Sequence, residues 1–266
     1  RIADPVFGGY LDYAGVDILL GGLAFTFQLY ADFSGYTDIA RGVALLLGFE
    51  TSVNFRLPYF SLNPTDFWQR WHISFSEWLR DYVFFPIRRA LLRWKGSASA
   101  WGLVIPPLVT MCLCGLWHGA AWTFVLWGGY QGALIILYRL LEKKPIHLDP
   151  WKTGVAYPLV AMRMMLMFSL TMLGWIIFRS TSLGQVVYML RHISPVASAS
   201  SLGFFRDLVF YTAPLWVVEV FQYLRKDLFL LARLPLAPRL LLNGILLALI
   251  ALLRAGAATE FIYVQF

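Results

Sequence analysis

Between Trp101 and Leu141 the chain carries one charge, Arg139, and strongly polar side chains only at His118 and Gln131. Each half of that stretch is long enough to span the roughly 30 Å hydrocarbon layer of a bilayer, which takes about 20 residues of α-helix. Backbone placed in hydrocarbon has no water to bond with and must satisfy its own N–H and C=O groups, so such segments fold as helices or closed barrels. Further apolar runs at 17–31, 42–49, 155–178, 205–223 and 240–253 repeat the pattern. Only 14% of residues are charged and the mean hydropathy is +0.64, whereas a soluble domain carries about 25% charge to cover its surface. The reading is an all-α, polytopic transmembrane helical bundle forming a single membrane domain over 1–266. Eleven tryptophans and thirteen tyrosines fit the two membrane–water interfaces.

The net charge of +7 is clustered between the apolar runs. Arg88, Arg89, Arg93 and Lys95 form one basic loop, residues 139–152 a second and 225–239 a third. By the positive-inside rule these face the cytoplasm, and the Ser-rich stretch 194–203 faces outward. Nothing in the pattern suggests nucleic-acid binding. The chain opens Arg1-Ile2-Ala3 without an initiator methionine or signal peptide, which reads as a piece entered mid-protein. Cys112 and Cys114 point about 200° apart on a helix, so they are read as packing residues rather than a disulfide or metal pair.

His118 stands in Gly115-Leu116-Trp117-His118-Gly119. A titratable ring in hydrocarbon costs free energy, so it is a functional candidate by default. On a helix Cys114 and Trp122 flank it at i−4 and i+4, and Gly115 and Gly119 leave room for another helix or a substrate. Two full crossings between the first two basic loops place His118 near the outer face, while re-entrant helices place it mid-depth. Upstream, Gly35 suggests a break in the first apolar region, and Asp38 and Arg41 at i, i+3 suggest a charge-neutral lock inside the bundle. Asn63, Pro64 and Asp66 form a strong helix start. The helix expected from about 64 to 92 holds too many charges for lipid and too many tryptophans for water, so it lies in the interface or lines a cavity. His72, Ser76 and Arg80 share one face of it, and Pro86 should kink or end it. Ser74 and Ser76 near His72 raise a Ser–His nucleophile alternative that turns on spatial geometry.

Three blocks together carry a resemblance. The first is Gln28-Leu29-Tyr30-Ala31-Asp32-Phe33-Ser34-Gly35-Tyr36-Thr37-Asp38. The second runs from Asn54-Phe55-Arg56-Leu57-Pro58-Tyr59 through Asp66-Phe67-Trp68-Gln69-Arg70-Trp71-His72-Ile73-Ser74 to Trp78-Leu79-Arg80-Asp81-Tyr82. The third is Gly115-Leu116-Trp117-His118-Gly119-Ala120-Ala121-Trp122 with Trp127-Gly128. In this order they resemble the membrane-bound O-acyltransferase family, in its bacterial branch of alginate O-acetylation proteins, and Phe261–Phe266 is similar to that family's C-terminal end. The resemblance implies a many-helix fold around a tunnel, with the N-terminal two-fifths of such a protein outside this chain. It implies His118 as the catalytic residue and His72 as functionally important, and the two are taken as catalytic; Arg70, Trp71, Trp117 and Asp32 are read from their positions as candidate substrate-binding residues. No metal and no bound cofactor are implied; an acyl donor such as acetyl-CoA is a substrate. The expected partners are the lipid bilayer of the bacterial inner membrane, crossed several times, and a periplasmic acetyltransferase or glycan synthase. Two departures stand out: Pro86-Ile87-Arg88-Arg89-Ala90 replaces a Pro-Leu-Gly-Gly-Asn-Arg type loop, and Gln131 stands where a further histidine is common.

The function expected is transfer of an acetyl or short acyl group across the membrane towards an exported polysaccharide or cell-wall glycan, with His118 as general base. The alternatives are D-alanyl transfer to teichoic acid and a non-enzymatic transporter whose intramembrane His and Asp line a path. The isolated chain is expected to leave the tunnel open on one side and to be inactive alone.

Overall fold

The computed structural model describes residues 2–95, 101–142 and 157–253, and within them the chain is helical without strands. A short α1 (Ala3–Gly8) and a 3₁₀ turn lead into α2 (Val16–Leu46), which continues through Gly35 without the expected break. At 1.5 Å per residue its 31 residues measure about 46 Å, more than a bilayer's hydrocarbon. An extended segment and a 3₁₀ turn (Pro58–Phe60) follow, then α3 (Pro64–Trp68), α4 (Ile73–Leu79), a π-helical turn (Arg80–Phe84) and α5 (Phe85–Lys95). The remaining helices are α6 (Trp101–His118), α7 (Trp122–Leu141), α8 (Tyr157–Arg179), α9 (Leu183–His192), α10 (Ser201–Arg225) and α11 (Leu236–Leu253). Four of them, α2, α6, α7 and α8, are long and apolar enough to cross a membrane. The run at 205–223 folds as α10 but is not among those four. The C-terminal resemblance at 261–266 and most of the basic stretch 139–152 fall outside the described residues.

The single helix expected over 64–92 is divided, and the reason is a competing set of hydrogen bonds. Its start forms as anticipated: the Asp66 N–H donates to Asn63 Oδ1 (2.8 Å), and the Leu62 N–H donates back to Asp66 Oδ2 (2.9 Å). One turn later the extended segment 54–56 takes over the backbone. The Arg56 N–H donates to the Arg70 carbonyl (3.0 Å), and the Ile73 N–H donates to the Asn54 carbonyl (3.0 Å). His72, at φ 42° and ψ 58°, turns the chain between α3 and α4 in the left-handed region. Pro86 does not end the helical run. It lies just after the π-helical turn Arg80–Phe84, where the helical run changes its hydrogen-bonding pattern before continuing as α5. Arg88, Arg89 and Arg93 are therefore helical rather than in a loop, on an exposed amphipathic element suited to a membrane surface.

Helices α6 and α7 form a tight hairpin whose turn is His118–Ala121, so Trp122 does not continue His118's helix as the sequence spacing implied. Close approach is written in glycine. A Cβ on Gly115 would stand 2.1 Å from the Phe124 carbonyl oxygen, and one on Gly128 would stand 2.2 Å from that of Met111. Both free ends of the hairpin lie on one side, because the contacts run antiparallel, from Gly115 at Phe124 through Gly128 at Met111 to Gly132 at Leu108, and the Arg139 guanidinium there covers the Phe84 ring (5.3 Å). The hairpin is thus two full helices, about 27 Å for the 18 residues of α6, with His118 at the far end. α8 returns antiparallel to α7: Arg163 pairs with Glu142 (2.9 Å) near its start, and Phe178 meets Phe124 (5.1 Å) near its end. The core between α2, α3, α7 and α8 is aromatic, with Phe67, Trp71, Trp127 and Trp175 all buried. Large apolar side chains stay exposed along α10 and α11, as on a lipid-facing surface.

Candidate functional site

His118 ends α6 inside a cage of four rings. Trp117 (4.7 Å), Phe178 (4.9 Å), Trp127 (5.5 Å) and Phe124 (6.1 Å) surround it, those of Trp127 and Phe178 nearly perpendicular to it. Three elements meet there because the α6–α7 turn is short and α8 ends at the same level. Gly119, at φ +157°, makes the turn possible and leaves space for the Phe124 ring, which a Cβ would meet at 2.7 Å. Of the two glycines beside His118, Gly115 thus admits a helix and Gly119 admits a ring.

Beside this cage lies a cavity of about 610 Å³ lined by Phe33, Thr37 and Arg41 of α2, by Glu50 to Ser52 and Asn54, and by His72, Ser74 and Trp117 among others. His72 enters it from the α3–α4 turn, with the edge of Phe33 against its ring (4.8 Å) and Phe75 stacked on it (5.1 Å). Its Nδ1 is buried and meets no hydrogen-bond partner. Burial pushes the His72 imidazole down to about 4, so it is neutral at physiological pH and offers one N–H and one lone pair. The rings of Phe75 and Trp117 (4.6 Å apart) bridge His72 to His118, which lie within electrostatic reach of each other. His72 therefore lines the cavity, and His118 sits directly behind Trp117 rather than in the lining.

The other expected site residues divide. Trp117 lines the cavity, but Trp71 turns the opposite way into the core, against Phe55 (5.0 Å), Trp175 (5.0 Å) and Phe67 (5.7 Å). Arg70 is committed to structure: its Nε donates to Asp66 Oδ1 (2.6 Å) and its NH1 to the Arg56 carbonyl (3.3 Å). Asp32 is half-buried on α2 next to Phe33 and is not in the lining. Neither serine bonds His72, since Ser74 Oγ donates to Asn54 Oδ1 (2.8 Å) and Ser76 Oγ to the Trp71 carbonyl (2.9 Å). That removes the Ser–His arrangement. Asp38 and Arg41 do approach (3.9 Å), but Asp38 is 72% exposed, so the lock lies at the rim rather than inside the bundle. Arg41 also covers the Phe229 ring at 5.6 Å. Cys112 and Cys114 are free thiols.

Asn54 and Glu219 are among the residues that escaped the sequence reading. Asn54 fixes Ser74 and the backbone around His72, and no local signal marked it beyond its place in a quoted block. Glu219 is buried on α10 and accepts the Tyr30 hydroxyl. Its signal was present, a lone carboxylate in an apolar run, and the reasoning applied to Asp32 and Asp38 applied equally there.

Residues 11–177, which contain both histidines and the whole cavity, match the sequence model of the membrane-bound O-acyltransferase family. The probable alginate O-acetylase AlgI of Azotobacter vinelandii is 39% identical over 184 residues, 68% of this chain and 32% of that protein. The peptidoglycan O-acetyltransferase of Helicobacter pylori is 33% identical over 170 residues, 64% of this chain and 30% of that protein. The teichoic acid D-alanyltransferase of Bacillus subtilis is 37% identical over 131 residues, 47% of this chain and 33% of that protein. The chain spans about a third of the length of these relatives.

Proposed function

The chain belongs to the membrane-bound O-acyltransferase family, and on that premise we propose that it forms the catalytic region of an enzyme acetylating the hydroxyl of an exported polysaccharide or cell-wall glycan. The observation that carries the reading is the caged His118 beside a polar cavity that His72 enters. A neutral imidazole accepts the proton of the acceptor hydroxyl as its oxygen attacks the acyl carbonyl. Collapse of the tetrahedral adduct expels the donor's thiol sulfur, and the imidazolium returns the proton to it. A neutral His72 can donate one hydrogen bond to the developing oxyanion. The aromatic cage limits water at His118 and so limits futile hydrolysis. Arg70 and Trp71 support this arrangement through the α3–α4 turn rather than by touching substrate.

The donor in this reading is a thioester such as acetyl-CoA, the setting is the bacterial inner membrane, and a periplasmic acetyltransferase or glycan synthase completes the pathway. A D-alanyl group is the second reading, favoured by the likeness to teichoic acid D-alanyltransferases; no observation favours a transporter. The test is acyl turnover by the purified full-length parent protein with acetyl-CoA or a D-alanyl carrier as donor. His118→Ala should lower it by at least about 10²-fold, the low end of a general base's contribution, with an unchanged thermal transition. Near-normal turnover by that variant would remove His118 from the mechanism.

A further inference from the structure

Arg88 and Arg139 come from different helices and meet with no acid between them. Arg139 stands in the last turn of α7, half-buried, with its guanidinium over the Phe84 ring (5.3 Å). Arg88 follows Phe84 by four residues, one turn along the same face of a helix that packs on α6. The two guanidinia lie within electrostatic reach of each other. Asp81 and Glu142, the acids nearest them in sequence, are engaged by Arg80 (2.8 Å) and Arg163 (2.9 Å). Among the described residues neither Arg88 nor Arg139 forms an ion pair or a side-chain hydrogen bond. Basic residues at a membrane surface are common. This pair differs because one member has given up part of its water and rests on a ring while facing a like charge, an arrangement that is costly until an anion neutralises it.

We infer that Arg88 and Arg139 hold the phosphate of an anionic phospholipid, with its acyl chains along the end of α7. Guanidinium forks match phosphate oxygens in pairs, and two of them from two elements fix the headgroup from both sides. The surroundings say that the phosphate belongs to a lipid. Leu137, Leu140 and Leu141 are 53%, 53% and 76% exposed at the end of a helix long and apolar enough to cross a membrane. Leu92 and Trp94 of α5 are exposed beside the arginines. Charge selects within the class, because exposed Arg89 and Arg93 extend a field that repels the ammonium of a zwitterionic lipid. The arginines lie at the hairpin end that the positive-inside rule assigns to the cytoplasm, and basic pockets between helices on that side suit anionic headgroups. The inference goes beyond the acyl-transfer reading and does not depend on it.

The test takes the full-length parent protein, delipidated in detergent, and titrates it with cardiolipin, phosphatidylethanolamine and coenzyme A, the bound species being counted by native mass spectrometry. Cardiolipin should bind saturably and more tightly than phosphatidylethanolamine. Arg88→Gln and Arg139→Gln should each weaken it at least about tenfold, the loss expected for a charge-assisted hydrogen bond. Arg93→Gln removes the same charge from the opposite side of the helix, nine residues from Phe84, and should stay near the parent. Arg88 is exposed, so Arg88→Gln carries the test where Arg139→Gln does not fold. His118→Ala should bind lipid like the parent, which separates failure of the proposed chemistry from failure of the lipid site. Equal weakening by Arg93→Gln makes the surface a diffuse basic field and overturns the inference, as does equal affinity for the two lipids. Coenzyme A binding lost in Arg88→Gln and Arg139→Gln, with cardiolipin binding unmoved, overturns it as well and makes the pair a donor-phosphate subsite.

Discussion

Gly128 and Gly129 are neighbours on α7, and substituting each with alanine should have opposite consequences. A Cβ on Gly128 would stand 2.2 Å from the Met111 carbonyl oxygen and 2.7 Å from the Cys112 Cα, all of it α6 backbone, whereas nothing lies within 4 Å of the same atom on Gly129. Ordinary contact begins at 3.4 Å, so Gly128→Ala forces the two helices about 1.2 Å apart in a close-packed interface that resists such shifts. Overpacking of this kind costs about 1–3 kcal/mol, offset in part by the roughly 1 kcal/mol by which alanine is the better helix former. Gly129→Ala collects the second effect without the first. The displacement also reaches the chemistry, since Trp127 precedes Gly128 and walls the His118 cage at 5.5 Å. A misplacement near 1 Å costs up to about 10²-fold in rate. Thermal transitions in detergent and initial acyl-transfer rates should therefore rank Gly129→Ala at or above the parent and Gly128→Ala below it in both. Equal behaviour of the two variants would refute the claim that glycine contact sets the hairpin spacing, and intact turnover in a destabilised Gly128→Ala would refute its link to His118.

Two further outcomes follow from buried polar groups. Tyr30→Phe removes the hydroxyl that donates to Glu219, and an unsatisfied buried acceptor costs about 1–3 kcal/mol; Glu219→Gln keeps an acceptor oxygen and should lose less, an order that thermal unfolding of the two variants can check. Burial holds His72 at about 4, below its ordinary 6.5. Between those values the unfolded chain binds more protons than the folded one, so His72's contribution is intact above pH 6.5 and lost as pH falls towards 4. The thermal transition of the parent should fall more steeply over that window than that of His72→Gln, and parallel curves would contradict the assignment.

What the sequence disclosed and what it withheld separate along one physical line, local pattern against tertiary competition. The apolar runs, the Asn63–Asp66 cap and the His118 block depend on neighbours a few residues away, and each was readable. The division of the 64–92 helix was not, because residues 54–56 supply backbone hydrogen bonds that replace helical ones at 70–73, and no periodicity within the helix records a partner segment. The same competition reassigns Arg70. Its charge and position beside His72 suggested substrate contact, yet Asp66 one turn earlier claims it, an i, i+4 pair that the sequence did contain. His72 shows why the reassignment matters for function. Its left-handed φ of 42° is unfavourable for a side-chain-bearing residue, and the bonds from Asn54 and Arg56 hold it there. Without them a continuous helix would carry His72 off the turn that places it at Phe33 and the cavity. The segment 54–56 and the Asp66–Arg70 pair thus act on the site by fixing where the second histidine can be, and the broken helix is the means of bringing it to the first.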